Sequence, residues 1–344
     1  MKMTQIWHAS MQGMPWNEEK MSQAVQHLRR RATVHFRVGV DTVEDLAQLD
    51  AKVFSARPDL ILHISNADVH AKYESSFLGR LAQLKHVSAL QLHVSQKQDF
   101  TILGAMSQML FLIINSPAKA TDLSFIEHFT QLTYLELHGK FVSNTSIEKC
   151  KSLETLILNC PADCLDALAA LPTLQYLSLD NCELRSELEM LAPSSIRMLK
   201  LSSVRKLTSI HGLERMRGLE FLHLSLSKLE QLCDFSQMPR LRQLELSYMK
   251  SLRDMEYLWT ATALEVLELK EINTALKAES FARLSELELL RQIDFRFIDF
   301  NKGRIAAMRE QLIQQGKSHI LYEHIPEQNR VQSMAIEHIS RYLT

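Results

Sequence analysis

Long apolar runs are missing from this 344-residue chain, and their absence is the first constraint. No window reaches the ~20 apolar residues that a membrane-spanning helix needs. The nearest, Met109 to Ile114, is too short, so no membrane partner is expected. Charge of one sign is also missing: the formal net charge is -1 with 23% charged residues, which gives no global basic field for nucleic acid. Cysteine is scarce and odd in number, five in all, and fits a reducing compartment better than a disulfide framework. The stretch Met1 to Trp16 lacks an apolar core of signal-peptide length. The expectation is a soluble cytoplasmic protein without a nucleic-acid partner.

What the chain has in abundance is leucine at fixed intervals. Leu219, Leu222 and Leu224 are followed by Leu229, Leu232, Phe235 and Met238, and the opening figure returns at Leu241, Leu244 and Leu246. An apolar figure repeated every ~22 residues is the mark of a solenoid whose units contact only their neighbours. The Leu-x-x-Leu-x-Leu figure starts at Val87, Met109, Leu132, Leu153, Leu174, Ile196, Leu219, Leu241, Leu264 and Leu290. Alternation inside it puts both inner leucines on one side of a short strand, and such strands stack in parallel about 4.8 Å apart. Between strands the apolar spacing becomes three, as in Leu123, Ile126, Phe129 and Leu132, which suits 3₁₀ turns or extended three-fold segments. The expected fold is α/β: a curved leucine-rich repeat horseshoe with a parallel concave sheet and mostly short helical or 3₁₀ turns on the convex side.

Longer units precede the regular ones. Met21, Val25 and Leu28 predict a helix from Asn17 that closes at Arg29, Arg30 and Arg31; the alternation Val34, Phe36, Val38, Val40 predicts a strand. Asp41 is read as the cap of a helix over Val43 to Val53, Leu60 to Ile64 as a strand, and Tyr73 to Leu84 as a helix. After Ile298 the figure stops. A helix ended by Gly316, a strand over Ile320 to Ile325 and a helix after Pro326 are expected there. The domain reading is a helical cap over 1–32, a solenoid over 33–300 with irregular units to about 86 and regular ones over 87–300, and a cap over 301–344 that closes the open end of the core.

The stretch Leu219 to Leu241 resembles the short repeat of internalin-type bacterial leucine-rich repeat proteins, and the resemblance covers Val87 to about Phe300. It implies the fold and a protein-binding scaffold, since a fold does not fix an activity. One departure stands out. The family column of Asn or Cys after each strand reads here Ser95, Pro117, Lys140, Pro161, Cys182, Val204, Ser227, Met249, Ile272 and Ile298, so the turns must be satisfied in another way. Bacterial ubiquitin-ligase effectors also carry such repeats, but their catalytic cysteine lies in a large C-terminal domain, and no cysteine follows Cys233 here.

Chemical motifs are weak. Gly316-Lys317-Ser318 lacks the glycine a phosphate-binding loop needs at position 311, which is Gln311. Cys150, Cys160, Cys164 and Cys182 could in principle hold zinc, but without paired spacing they read as buried thiols. His93 and His138 share a column two repeats apart, too far to share a metal. No Ser-His-acid set can be assigned from spacing, and no cofactor or metal is expected.

The strongest functional signal is a column of outward side chains: Phe111, Tyr134, Tyr176, Met198 and Phe221. Aromatic residues and Met are enriched in interfaces, so these are expected as exposed apolar anchors on the concave sheet, with Glu136, His138, His223 and Glu245 as polar rim. The functional expectation is a non-catalytic scaffold that binds another protein there, an inhibitor, immunity protein or adaptor. Its alternative is a secreted effector or surface adhesion protein of internalin type. A catalytic pocket would have to lie in an irregular end, around His35, His63 and His93.

Overall fold

The computed structural model describes residues 8–163 and 165–343, which form two compact units of the same architecture. The first holds residues 8–163, Leu171–Thr173 and 339–343; the second holds 165–170 and Leu174–His338. Both are leucine-rich repeat solenoids, a strand followed by a short return path, repeated.

In the first unit the strands are β1 (His8–Gln12), β2 (Leu28–Val38), β3 (Ile61–Asn66), β4 (Ala89–His93), β5 (Phe111–Thr121), β6 (Tyr134–Phe141) and β7 (Thr155–Asn159), each parallel to the next. In the second they are β8 (Tyr176–Asp180), β9 (Met198–Ser202), β10 (Phe221–Ser225), β11 (Gln243–Ser247), β12 (Val266–Lys270) and β13 (Gln292–Asp294), parallel in the same order. Register follows the leucines. Leu112 lies between Leu90 and Leu135, and Leu222 between Leu199 and Leu244, so each leucine packs on its equivalents. All six are at most 1% exposed, and each full burial is worth roughly 1.5–3 kcal/mol. The return paths are mostly single 3₁₀ turns such as Ser124–His128 and Phe235–Gln237, as the three-residue spacing predicts. Longer returns near the start hold α1 (Glu18–His27), α2 (Val43–Gln48) and α3 (Ser75–Leu81), while α4 (Leu165–Ala169) serves the second unit.

Several boundaries differ from the sequence reading. Helix α1 stops at His27, and Arg29, Arg30 and Arg31 open β2 instead of closing the helix. The stretch before α1 contains β1, paired with β2, where only a helical cap was expected. Thr42, not Asp41, caps α2, because Thr42 and Asp45 exchange side-chain hydrogen bonds in a capping box; Asp41 instead accepts the Arg37 amide at 2.8 Å.

The missing asparagine column has a physical replacement. Gly139, Asn181, Ser203, Tyr248 and Glu271 occupy the same corner of their repeats, and all have φ between 46° and 107°. This left-handed turn lets the corner amide bond sideways to the next repeat: Asn181 to the Ser202 carbonyl (3.0 Å), Ser203 to Ser225 (2.9 Å), Tyr248 to Lys270 (3.1 Å). Four of the five corners are not glycine and bear a conformational cost of roughly 1–2 kcal/mol each.

The C-terminal region departs most. Helix α5 (Lys302–Gln314), capped by Asn301, packs on the last return path of the second unit, as a cap would. The expected strand over Ile320 to Ile325 is a pair of 3₁₀ turns with one bridge, Ile293 to Leu321. Helix α6 (Met334–Leu343) does not cover an end. Its residues lie against the sheet face opposite the leucines.

Candidate functional site

On each strand, the side chains between the leucines form the face opposite the core, here the far face. In the first unit its lower column reads Ile61, Ala89, Phe111 and Tyr134, a small second core with Ile113, Ile157 and Tyr342 packed against it. The Phe111 and Tyr134 rings stack with centroids 4.2 Å apart, the Arg31 guanidinium lies 5.1 Å over Phe111, and Tyr342 lies 5.4 Å from Tyr134. The Tyr342 hydroxyl donates to Glu154; burial, then that carboxylate, pushes it up to about 12.

The apolar anchors are therefore on the expected face but not exposed on it. Phe111 is 0%, Tyr134 2%, Tyr176 2%, Met198 6% and Phe221 1% exposed. Adjacent rings at strand spacing shield each other, and the chain's own C-terminal segment adds cover. In the second unit the His338 ring stacks on Tyr176 at 5.6 Å, and the Met334 amide donates to Gln243 Oε1 at 2.9 Å.

The rim residues remain partly accessible and are already paired. Tyr134 donates to Glu136 Oε2 at 2.7 Å, and His138 Nε2 meets Oε1 at 2.5 Å. Burial pushes Glu136 up, but bonds from His138 and Tyr134 outweigh it and hold the carboxyl below its usual range. In the second unit His223 Nδ1 is 2.9 Å from Glu245 Oε2, and burial of Glu245 is likewise outweighed by hydrogen bonds from His223 and Ser333.

His223 Nε2 also lies 3.3 Å from Ser247 Oγ, completing a Ser–His–Glu chain that spacing could not reveal. Its order is that of a nucleophile, base and orienting acid. Adjacent strand amides are committed to the parallel ladder, for example in the β10–β11 and β11–β12 pairings, so they do not form an oxyanion site beside Ser247. The chain reads as a polar ladder across in-register strands.

The remaining candidates separate. His35 and His63 touch, Nδ1 to Nδ1 at 2.8 Å, so one ring donates to the other. Burial, then the charges of His35 and His93, pushes His63 down to about 4. Asn115 sits in register between His93 and His138. Cys150 and Cys160 are buried in the first unit and Cys182 in the second, while Cys164 lies outside the described residues. Burial pushes the Cys150 and Cys182 thiols up to about 12, away from the thiolate a metal needs. Among the described residues no group of three or more His, Cys, Asp or Glu is placed to hold a metal ion. No described helix is long and apolar enough to cross a membrane.

Sequence reasoning missed Gln243, Gln292 and His338, which hold the C-terminal segment. The signal was present for two of them: Gln243 and Gln292 interrupt an otherwise largely apolar column. A cleft of about 650 Å³ lies away from this face, between return paths at His211, Glu214, Lys228, Glu230, Asp234 and Tyr257.

No protein-family model and no curated protein matches the chain. Among solved structures it is similar to an internalin, InlF, from Listeria monocytogenes, at 17% identity over 82% of this chain and 88% of that one, with a TM-score of 0.49. Internalin C2 from the same organism matches at 19% identity over 59% and 86%, TM-score 0.40. The TLR13–ssRNA13 complex matches at 15% identity over 83% of this chain and 54% of that one, TM-score 0.46. The leucine-rich repeat fold itself rests on the strands, register and return paths described above.

Proposed function

We propose that this chain is a protein-binding scaffold without catalytic activity, and that its partner sits on the far face. The observation that carries the reading is the pre-paired rim: Tyr134–Glu136–His138 in the first unit and His223–Glu245–Ser247 in the second. Polar groups fixed in this way beside an aromatic column lose little freedom on binding, which is how an interface gains affinity. A protein fits better than nucleic acid, because two cations of this face, Lys270 and Arg296, are each held by a nearby carboxylate, Glu268 and Asp294. Buried thiols at Cys150, Cys182 and Cys233 support a reducing, cytoplasmic setting. An inhibitor, immunity or adaptor role suits a scaffold of this kind.

The test first captures and identifies the partner with wild-type protein from its native host. Affinity is then remeasured with His138→Ala in the first unit and Lys200→Glu in the second, both on accessible side chains. A loss of about tenfold or more is expected for at least one variant. Unchanged affinity in both overturns the far face as the site.

A further inference from the structure

The far face of the second unit is furnished for a polypeptide main chain. Gln292 pairs in both directions with Val331: its Oε1 accepts the amide at 2.8 Å and its Nε2 donates to the carbonyl at 3.0 Å. Two strands away, Gln243 Oε1 accepts the Met334 amide at 2.9 Å. Both glutamines are almost wholly buried, 3% and 4% exposed. Two buried amides are thus committed to backbone groups rather than to side chains, an arrangement that recognises a peptide with little regard for its sequence. Beyond them the Tyr176 ring receives a flat partner, His338.

The occupant buries few of its side chains, although Ser333 adds a bond to Glu245. Among residues 322–343 only Ala335 and His338 are buried, and Ile336 is 61% exposed. The approach to α6 is built from isolated 3₁₀ turns at Tyr322–His324 and Glu327–Asn329. Segments with so few buried apolar contacts open at the low end of a protein's range of local stabilities.

We propose that this seat is a peptide-binding groove, that residues 331–338 are its resident occupant, and that a partner protein replaces them. The inference rests on the reading that the far face binds protein, and it specifies the ligand. The partner presents an extended stretch that runs into a helix. A small side chain follows the amide held by Gln243, as Ala335 does, and a ring comes three residues later, as His338 does. Helix-in-groove recognition with a main-chain clamp at the helix start combines two known modes. A buried amide left without its partner is destabilising, so an arriving peptide is favoured only if it restores these bonds.

The probe is a fluorescein-labelled synthetic peptide of residues 328–344, used with the full chain. Ala335→Asp places a charge where the helix meets the sheet and should release the resident segment. The peptide is expected to bind this variant about tenfold or more tighter than wild type, and adding Gln243→Ala and Gln292→Ala should remove that gain. Equal or absent binding by an Ala335→Asp protein with unchanged sheet amide protection overturns the proposal. A stable dimer of that variant overturns the partner and makes a second copy the occupant. Should Ala335→Asp fail to fold, hydrogen exchange of wild type in excess peptide decides: residues 331–338 should lose protection while β10 keeps it, and no change overturns the proposal. Failure here leaves the loss of partner affinity in His138→Ala and Lys200→Glu untouched. Failure there, with peptide binding intact, would instead sink the far-face partner.

Discussion

Leu222, Leu244 and Leu267, on adjacent strands of the second unit, are wholly buried, whereas of residues 322–343 only Ala335 and His338 are. The first set is held by apolar volume, contributed identically by each neighbour. The second is held mainly by directed bonds, Val331 to Gln292, Met334 to Gln243, Ser333 to Glu245 and Tyr342 to Glu154, and by two rings, His338 on Tyr176 and Tyr342 beside Tyr134. Close-packed volume resists any change, while directed bonds can be exchanged for equivalent ones from another chain. The difference separates the part of the molecule that must stay from the part that can move.

The sharpest way to break this comparison is to attack the far-face column as though it were surface. Phe221 is 1% exposed, so Phe221→Asp buries a carboxylate and removes a core ring. More than ~4 kcal/mol of destabilisation is expected, read as loss of a cooperative unfolding transition. A normal melting temperature would mean that the column is exposed after all. On the leucine side, Leu222→Ala or Leu244→Ala is expected to cost ~2–5 kcal/mol in denaturant unfolding. An unchanged midpoint for both would refute the leucine register. A smaller effect, ~1–3 kcal/mol, is expected for Gly139→Ala, because φ is 107° and an added Cβ would meet the Ser116 carbonyl. That cost reports the corner turn rather than either packing layer.

Legibility followed locality. The leucine register and the 3₁₀ returns were readable because strand and turn each write their period into consecutive residues, as in Leu244 and Leu246 or Phe235 and Met238. Corners at Ser203, Tyr248 and Glu271 were not readable, since a left-handed turn imposed by sideways amide bonds leaves no preferred residue type. The far-face anchors were placed on the right face but given the wrong exposure. Part of the cover comes from His338 on Tyr176 and Tyr342 on Tyr134, remote in sequence, and no periodicity links residues so far apart. Polar residues in an apolar column, Gln243 and Gln292 with Thr155 in the first unit, marked the places where something had to arrive.

The smallest effect concerns a far-face group that neither the leucines nor the C-terminal segment holds. His63 sits against His35, and burial together with the charges of His35 and His93 pushes it to about 4 from an ordinary 6.5. Between those values the unfolded chain carries a proton that the folded chain refuses, so the unfolded state gains as pH falls. Stability from this group is complete above about pH 6.5, declines through the window, and stops declining below about 4. Glu136 and Glu245, held below their ordinary range, lose their contribution only at lower pH, beneath about 4.5. The interval from pH 6.5 to about 4.5 therefore separates the histidine pair from these two glutamates. Because His63 keeps some contact with solvent, the expected loss is on the order of 1 kcal/mol after allowance for screening. Melting temperatures across that interval should fall in wild type and stay flatter in His63→Gln. Equal slopes would show that the imidazole takes up its proton in place.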